Sequence, residues 1–269
     1  MTTGLEHGIE LFNSGSYWEA HEAWEGEWMP DRKGPDSGFY KGLIQVAAGC
    51  LHYTRHNRRG AVNKWRSGAD YLRPYLPTHR GVRLAPLVSA KLIETTGIII
   101  DAKTGISGAG RGGGESKFGY SEVNEDVSAY GLLKHVHVPE MSKAIGKFAS
   151  SSAPPLVFTP HLVPMTRGIL ATCYARGKAT TEQCIEAARE FYKGRPFVRV
   201  TTQPPHSKWA TGSNLVFVSY AADPDRGIVI AIGAIDNLGK GAAGQAVQNA
   251  NLMCGLDETA GLEGGPLWP

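Results

Sequence analysis

IVIAIGAIDNLGKGAAGQAVQNANLMC, residues 228–254, reads as three elements in succession. Ile228 to Ile235 is an apolar run of strand length, Asp236 to Gly244 is a glycine-studded loop, and Gly244 to Cys254 has the apolar spacing of a helix. Strand-like runs recur upstream at 97–101, 156–158, 197–201 and 215–220, and helices fit 84–93 and 180–193. Strands alternating with helices predict an α/β domain with a mixed sheet. Two strings match G-x-G-x-x-G. Gly239 to Gly244 follows a strand and opens a helix, whereas Gly108 to Gly113 follows a strand and opens no helical pattern. No further strand completes a βαβ unit after the first of these, so both read as loops and no complete Rossmann domain is expected.

Toward the N-terminus the period changes. Leu5 to Phe12, Tyr17 to Trp28, Phe39 to His56 and Ala61 to Tyr75 carry apolar residues at three-to-four spacing, the mark of amphipathic helices. Asn13-Ser14-Gly15-Ser16 stops one helix and caps the next, and Pro30 to Pro35 is a turn. The chain is therefore expected to be α+β overall. An all-helical bundle over 1–80 precedes a mixed-sheet domain over 81–269, with the boundary between Leu76 and Arg83.

Composition bounds the function. The 269 residues are 42% hydrophobic and 20% charged, an ordinary balance for a globular protein. A net charge of +3 argues against a nucleic-acid partner. Glu6 and Glu10 break the first apolar positions, so no signal peptide is expected, and no apolar run reaches membrane-spanning length. Cys50, Cys173, Cys184 and Cys254 show no CxxC spacing and read as free thiols of a cytoplasmic protein.

Five strings, in order, carry a resemblance: IIIDAKTGISGAGR (98–111), SEVNEDVSAYGLLKHVHVPE (121–140), FTPHLVPMTRG (158–168), GSN (212–214) and IDNLGKGAAGQAVQNANLM (235–253). From about residue 84 to 269 the chain resembles the second, substrate and dimerisation domain of N-acetyl-γ-glutamyl-phosphate reductase. It also resembles the related lysine-pathway reductase of a carrier-bound acyl phosphate. The resemblance implies a fold like the second domain of semialdehyde dehydrogenase-type reductases. It also implies NADPH-dependent reduction of an acyl phosphate, in which a cysteine thiolate attacks, phosphate leaves and hydride reduces the thioester. It implies an acid–base role for His137, with His135 and Glu140 beside it; anion holders in Ser107, Gly108, Arg111 and Arg167; and a nicotinamide-side loop of Asn237, Lys240, Gly241 and Gly244. Where the family carries its nucleophilic cysteine, ahead of Pro77-Thr78 and Ala85-Pro86-Leu87, this chain reads Tyr75. A phenol, with a pKa near ~10, stays protonated and cannot replace the thiolate. His135-x-His137 on a strand would share one face, as a metal pair does, yet spacing places no third ligand and no metal is assigned.

Residues 8–80 resemble a family of small helical domains with no assigned function, through FNSGSYWEAHEAWE (12–25), KGLIQVAA (41–48) and Gly60-Ala61. Trp18, His21, Trp24, Glu25 and Trp28 would form a crowded stripe, with Gln45 and His52 facing it from the third helix. His21, Glu22, Glu25 and Gln45 then make either a buried polar site for a metal or small ligand, or a hydrogen-bond network that fixes helix register.

The two resemblances together imply a chain that does not catalyse the inherited reduction alone, for want of a nucleotide domain and a cysteine. NADP and a small acyl phosphate enter only through the resemblance. Two other readings stand beside it: a non-catalytic regulatory module that pairs with an intact reductase, and a fusion remnant without function. A homodimer through the sheet, or a mixed oligomer with an intact reductase, is expected. Val247, Leu252 and Met253 are expected to be left uncovered.

Overall fold

The computed structural model describes residues 4–34, 36–72, 84–109, 120–149, 154–253 and 256–267. Tyr75 and Arg111 lie outside these residues. The chain forms two compact units, one of Met1–Pro77 with Gln245–Gly261 and one of Thr78–Gly244 with Leu262–Pro269.

The first unit is helical, with α1 (Gly4–Asn13), α2 (Tyr17–Trp28), α3 (Ser37–Thr54) and α4 (Arg58–Leu72). Each helix packs on the next in sequence. Short connections make the neighbours hairpins; Gly15, at φ +82, supplies the left-handed turn between α1 and α2. Ala20, Trp24, Leu43, Ile44 and Ala47 are buried at the centre, with Leu5, Ile9, Phe12 and Phe39 against them. Trp24 fits because Gly8 faces it: a Cβ there would lie 2.2 Å from the indole nitrogen. That indole N–H donates to the Leu5 carbonyl at 3.3 Å, so the one polar atom of a large buried ring is satisfied. Helix α9 (Gly244–Met253) groups with this unit from Gln245 onward. Within that segment Gln245 donates to Asn249 at 2.8 Å and Asn251 donates to the Ala260 carbonyl at 2.9 Å. Val247 and Leu252 are exposed on α9; the Met253 side chain is outside the described residues.

The second unit is a seven-stranded mixed sheet, as its sequence pattern predicts. Its strands are β1 (Ile98–Thr104), β2 (Ser128–Ala129), β3 (Leu156–Leu162), β4 (Ile169–Arg176), β5 (Val198–Val200), β6 (Val216–Asp223) and β7 (Ile228–Ile235). They lie in the order β2-β3-β1-β4-β7-β6-β5. β1 runs parallel to β3 and β5 parallel to β6; the other neighbours are antiparallel. One face carries Ile98, Ile100, Ala102, Phe158, Ala171, Cys173, Val218, Tyr220, Val229 and Ala231, all buried. Helix α6 (Tyr120–Val123) is a single turn, and helices α5 (Ala85–Ser89), α7 (Val138–Gly146) and α8 (Thr181–Phe191) supply Leu87, Met141, Ile145, Cys184 and Ala188 to the same core. Burial pushes the Cys184 thiol up to about 11, with the Glu182 charge adding to it. The opposite face is open: Ile99, Val157 and Tyr174 are each about 40% exposed. On that face Lys103 lies 2.7 Å and His161 3.0 Å from Asp101. The His161 approach has ion-pair distance without hydrogen-bond alignment.

Three expectations change. The residues of β4 were not among the strand-like runs, because ILATCYAR buries only Ala171, Cys173 and Ala175 and so lacks an apolar stripe. The helix expected over 84–93 shortens to α5, closed by Lys91 at φ +56. His135-x-His137 is a turn and not a strand. Gly131 and Leu133 take positive φ, and Pro139 starts α7 immediately afterward, with His137 as its N-cap.

Candidate functional site

Strand register brings four loops to one end of the sheet. Thr104 pairs with Ile169, Ile169 with Ile235, and Ile235 with Val216. The ends of β1 and β7 and the starts of β4 and β6 therefore lie side by side, and the loops 105–109, 163–168, 211–215 and 236–243 meet there.

The first two loops are zipped together by backbone. Gly105 N donates to Gly168 O at 2.9 Å, Ile106 N to Met165 O at 2.9 Å and Ser107 N to Thr166 O at 3.2 Å. Gly105 is needed for this approach, since a Cβ there would sit 2.8 Å from the Arg167 nitrogen. Asn237 ties the pair to β7: its carbonyl accepts from Gly168 N at 2.6 Å and its amide donates to Ser107 Oγ at 2.9 Å. With an acceptor position filled, the Ser107 hydroxyl keeps its proton for another partner.

Asp236 is the centre of the cluster. Its side chain has no solvent exposure. Oδ1 accepts from Leu238 N at 2.8 Å and Gly239 N at 3.0 Å, and Oδ2 accepts from Gly212 N at 2.6 Å. Arg167 Nη2 lies 2.8 Å from Oδ2. Burial alone would raise the carboxyl; the three backbone donors and the guanidinium outweigh it and hold Asp236 below its usual range. Arg167 remains one-third exposed, while its Nε–H is buried with no acceptor among the described residues. The C-terminal segment closes over the Gly212 turn. Leu267 N donates to Thr211 O at 2.8 Å, and a Cβ on Gly212 would meet the Leu267 side chain at 2.5 Å.

The remaining predicted residues fall in several places. Gly108 lies against this cluster, with its Cβ position 3.9 Å from the Asn237 amide. Lys240 is 3% exposed, with its ammonium 5.0 Å over the Phe197 ring. Gly241 N donates to Asp236 O at 2.8 Å, and a Cβ on Gly244 would lie 2.5 Å from Asn214 Oδ1. These glycines permit close packing of the loop that follows β7. His135 and His137 sit 4.9 Å apart, centroid to centroid, and His135 packs edge-on against Phe158 at 4.9 Å. Phe158 pairs with Ile100, four positions before Thr104, or roughly 13 Å back along the sheet from the loop cluster. Glu140 is in the first turn of α7, half-buried.

In the helical unit His21, Glu22 and Glu25 do come together. His21 Nδ1 is 3.3 Å from Glu22 and 3.8 Å from Glu25, and the Trp18 ring stacks on the imidazole at 5.3 Å. Ligand-capable atoms of the three lie within 4.8 Å of one another. They lie at the surface and not inside: Glu22 is 54% exposed, and Trp24 turns to the core while Trp18 faces outward. Gln45 is half-buried on α3. His52 is engaged with Asn57 at 3.2 Å. Sequence reasoning missed Asp236 altogether, although an acid at the end of an apolar strand and before a glycine loop was the available signal.

Comparison with known proteins follows the same division. Residues 76–237 match the family described as the semialdehyde dehydrogenase dimerisation domain, and residues 5–63 match the domain of unknown function DUF309. An N-acetyl-γ-glutamyl-phosphate reductase of Methylobacterium sp. is 70% identical over 186 residues, which cover 69% of this chain and 57% of that protein. One from Bradyrhizobium sp. is 72% identical over the same length. The chain thus spans little more than half the length of these relatives. The reductase of Moorella thermoacetica is 38% identical over 269 residues, covering 97% of this chain and 74% of the relative. The solved structure of aspartate semialdehyde dehydrogenase II from Vibrio cholerae shares the fold, with a TM-score of 0.52 at 17% identity over 70% of this chain and 65% of that one. No helix among the described residues is long and apolar enough to cross a membrane. By the dimerisation domain it carries and by the relatives it aligns with, the chain belongs to the N-acetyl-γ-glutamyl-phosphate reductase family.

Proposed function

We propose that this chain carries the acyl-phosphate-holding half of a reductase that converts N-acetyl-γ-glutamyl phosphate to its semialdehyde with NADPH in the cytoplasm, and that it does not complete the reduction alone. The supporting observation is the loop cluster. Arg167 presents a one-third exposed guanidinium and Ser107 a hydroxyl in loops that meet at the same end of the sheet, which suits a phosphoryl or carboxylate group. Ser107, Gly108 and Arg167 are the anion holders. His137, with His135 on the β2–α7 turn and Glu140 in the first turn of α7, is the proton-handling group of the inherited reaction.

By resemblance Asn237, Lys240, Gly241 and Gly244 belong to a loop beside the nicotinamide, and by themselves they make no dinucleotide cradle. β7 is flanked on both sides by antiparallel strands, so the glycine loop after it opens no βαβ unit. Asn237 is committed to Gly168 and Ser107, and Lys240 is buried over Phe197. Among the described residues from 4 to 72 none is in a strand. The chain's own contribution is the grip on the acyl phosphate; the hydride donor has to be held elsewhere. His21, Glu22, Glu25 and Gln45 belong, on this reading, to a network that sets the register of α2 and not to a catalytic centre.

The reverse reaction tests the proposal. NADP, inorganic phosphate and N-acetylglutamate semialdehyde are mixed with the folded chain, and NADPH formation is followed at 340 nm. The expected rate equals the protein-free background. A rate well above it that disappears in His137→Ala overturns the claim of inactivity.

A second reading is favoured by the open sheet face with Ile99, Val157 and Tyr174, in a chain whose matched family is named for dimerisation. On it the chain forms mixed dimers with an intact reductase and modulates it. Co-elution with an added full-length relative on size exclusion supports this reading, and separate elution at micromolar concentration rejects it.

A further inference from the structure

At the loop cluster, Asp236 is a fully buried carboxylate held by three backbone donors. A carboxylate offers about four lone-pair positions. Here Oδ1 takes the N–H groups of Leu238 and Gly239, Oδ2 takes that of Gly212, and the Arg167 guanidinium lies at ion-pair distance, 2.8 Å from Oδ2. The three hydrogen-bond donors are all backbone, from two loops that are themselves anchored to the strand ends. The carboxylate is therefore held before Arg167 reaches it, whereas an arginine side chain left to itself samples many rotamers. Through one Nη the guanidinium is tethered to that carboxylate, and its Nε–H remains buried without an acceptor among the described residues.

We infer that Asp236 is a positioning residue. It fixes Arg167 so that the exposed part of the guanidinium meets the anionic group of the ligand. The inference rests on the proposed role of Arg167 as an anion holder. It also makes a claim of sign. A buried negative charge beside Arg167 lowers the local positive potential, so removing it on electrostatic grounds alone would tighten anion binding. If Asp236 acts by positioning, removing its charge weakens anion binding instead.

The test uses the full chain and nuclear magnetic resonance of the arginine Nε–H signals, with the Arg167 signal assigned by its loss in Arg167→Lys. In the unligated wild-type chain that signal is expected to be resolved and slow to exchange with water. Titration with inorganic phosphate, and in a parallel arm with acetate, is expected to shift it, while chloride at matched ionic strength does not; which arm is stronger tells a phosphoryl from a carboxylate ligand. In Asp236→Asn the signal is expected to join those of the exposed arginines, and the effective anion is expected to bind at least about tenfold more weakly. In an Arg167→Gln background, Asp236→Asn is expected to change affinity no further.

Each contrary outcome is distinct. An Arg167 signal that is resolved but unmoved by either anion, or moved equally by chloride, overturns the anion-holding role and this inference with it. An anion response kept or strengthened in Asp236→Asn overturns the positioning role alone. If Asp236→Asn does not fold, the wild-type signal decides: exchange as fast as that of exposed arginines means that Arg167 is not held.

Discussion

At the residue scale the behaviour of this chain turns on one carboxylate. Asp236 is held below its ordinary range by backbone donors and Arg167 against the opposing effect of burial. A group with a lowered folded value binds fewer protons folded than unfolded near its ordinary value, 3.8. Its contribution to stability is therefore complete above that pH and is lost as pH falls through it toward the folded value. Urea denaturation between pH 6 and pH 3 should show this loss, and Asp236→Asn should flatten it. The role of Asp236 was not legible beforehand, because its partners stand 24 and 69 positions upstream, at Gly212 and Arg167. No local pattern announces donors that distant. Arg167, Ser107 and Asn237 were legible only through family resemblance, and nothing in their own spacing says that Asn237 joins Gly168 to Ser107.

At the element scale, legibility follows the contrast between buried and exposed side chains. β7 and α8 read directly from sequence. β7 is almost wholly apolar, and α8 opens on Thr180, whose hydroxyl accepts from Gln183 N while the Gln183 side chain accepts from Thr180 N. Removing that capping box by Thr180→Ala should cost about 1 kcal/mol in chemical denaturation and leave the anion response at Arg167 unchanged. β4 did not read, because its inward residues are Ala171, Cys173 and Ala175, and small side chains give a strand no apolar signal. The turn holding His135 and His137 did not read either. The alternation of histidine with valine looks like a strand until the positive φ of Leu133 and the proline of α7 are taken into account. In the helical unit Trp24 carries the packing between α1 and α2. Trp24→Ala should cost about 3–5 kcal/mol, and circular dichroism melting would measure it.

At the scale of the whole molecule, the division into a helical unit and a sheet unit was visible as a change of hydrophobic period near residue 80, whereas the grouping of Gln245–Gly261 with the helices was not. The open sheet face gives a further expectation. Tyr174→Glu places a charge among half-exposed apolar residues of that face. It should shift a dimeric sample toward monomer in sedimentation velocity without altering the melting of the monomer; an unchanged sedimentation coefficient would mean that another surface holds the copies together. The strap at Leu267 carries a practical consequence. Proteolysis in the exposed stretch Glu263–Gly265 would release this strap from Thr211 and Gly212, the turn whose N–H secures the buried carboxylate. A nick there is itself a perturbation of the anion grip, and assays of this chain should be read from material whose measured mass shows the segment uncut.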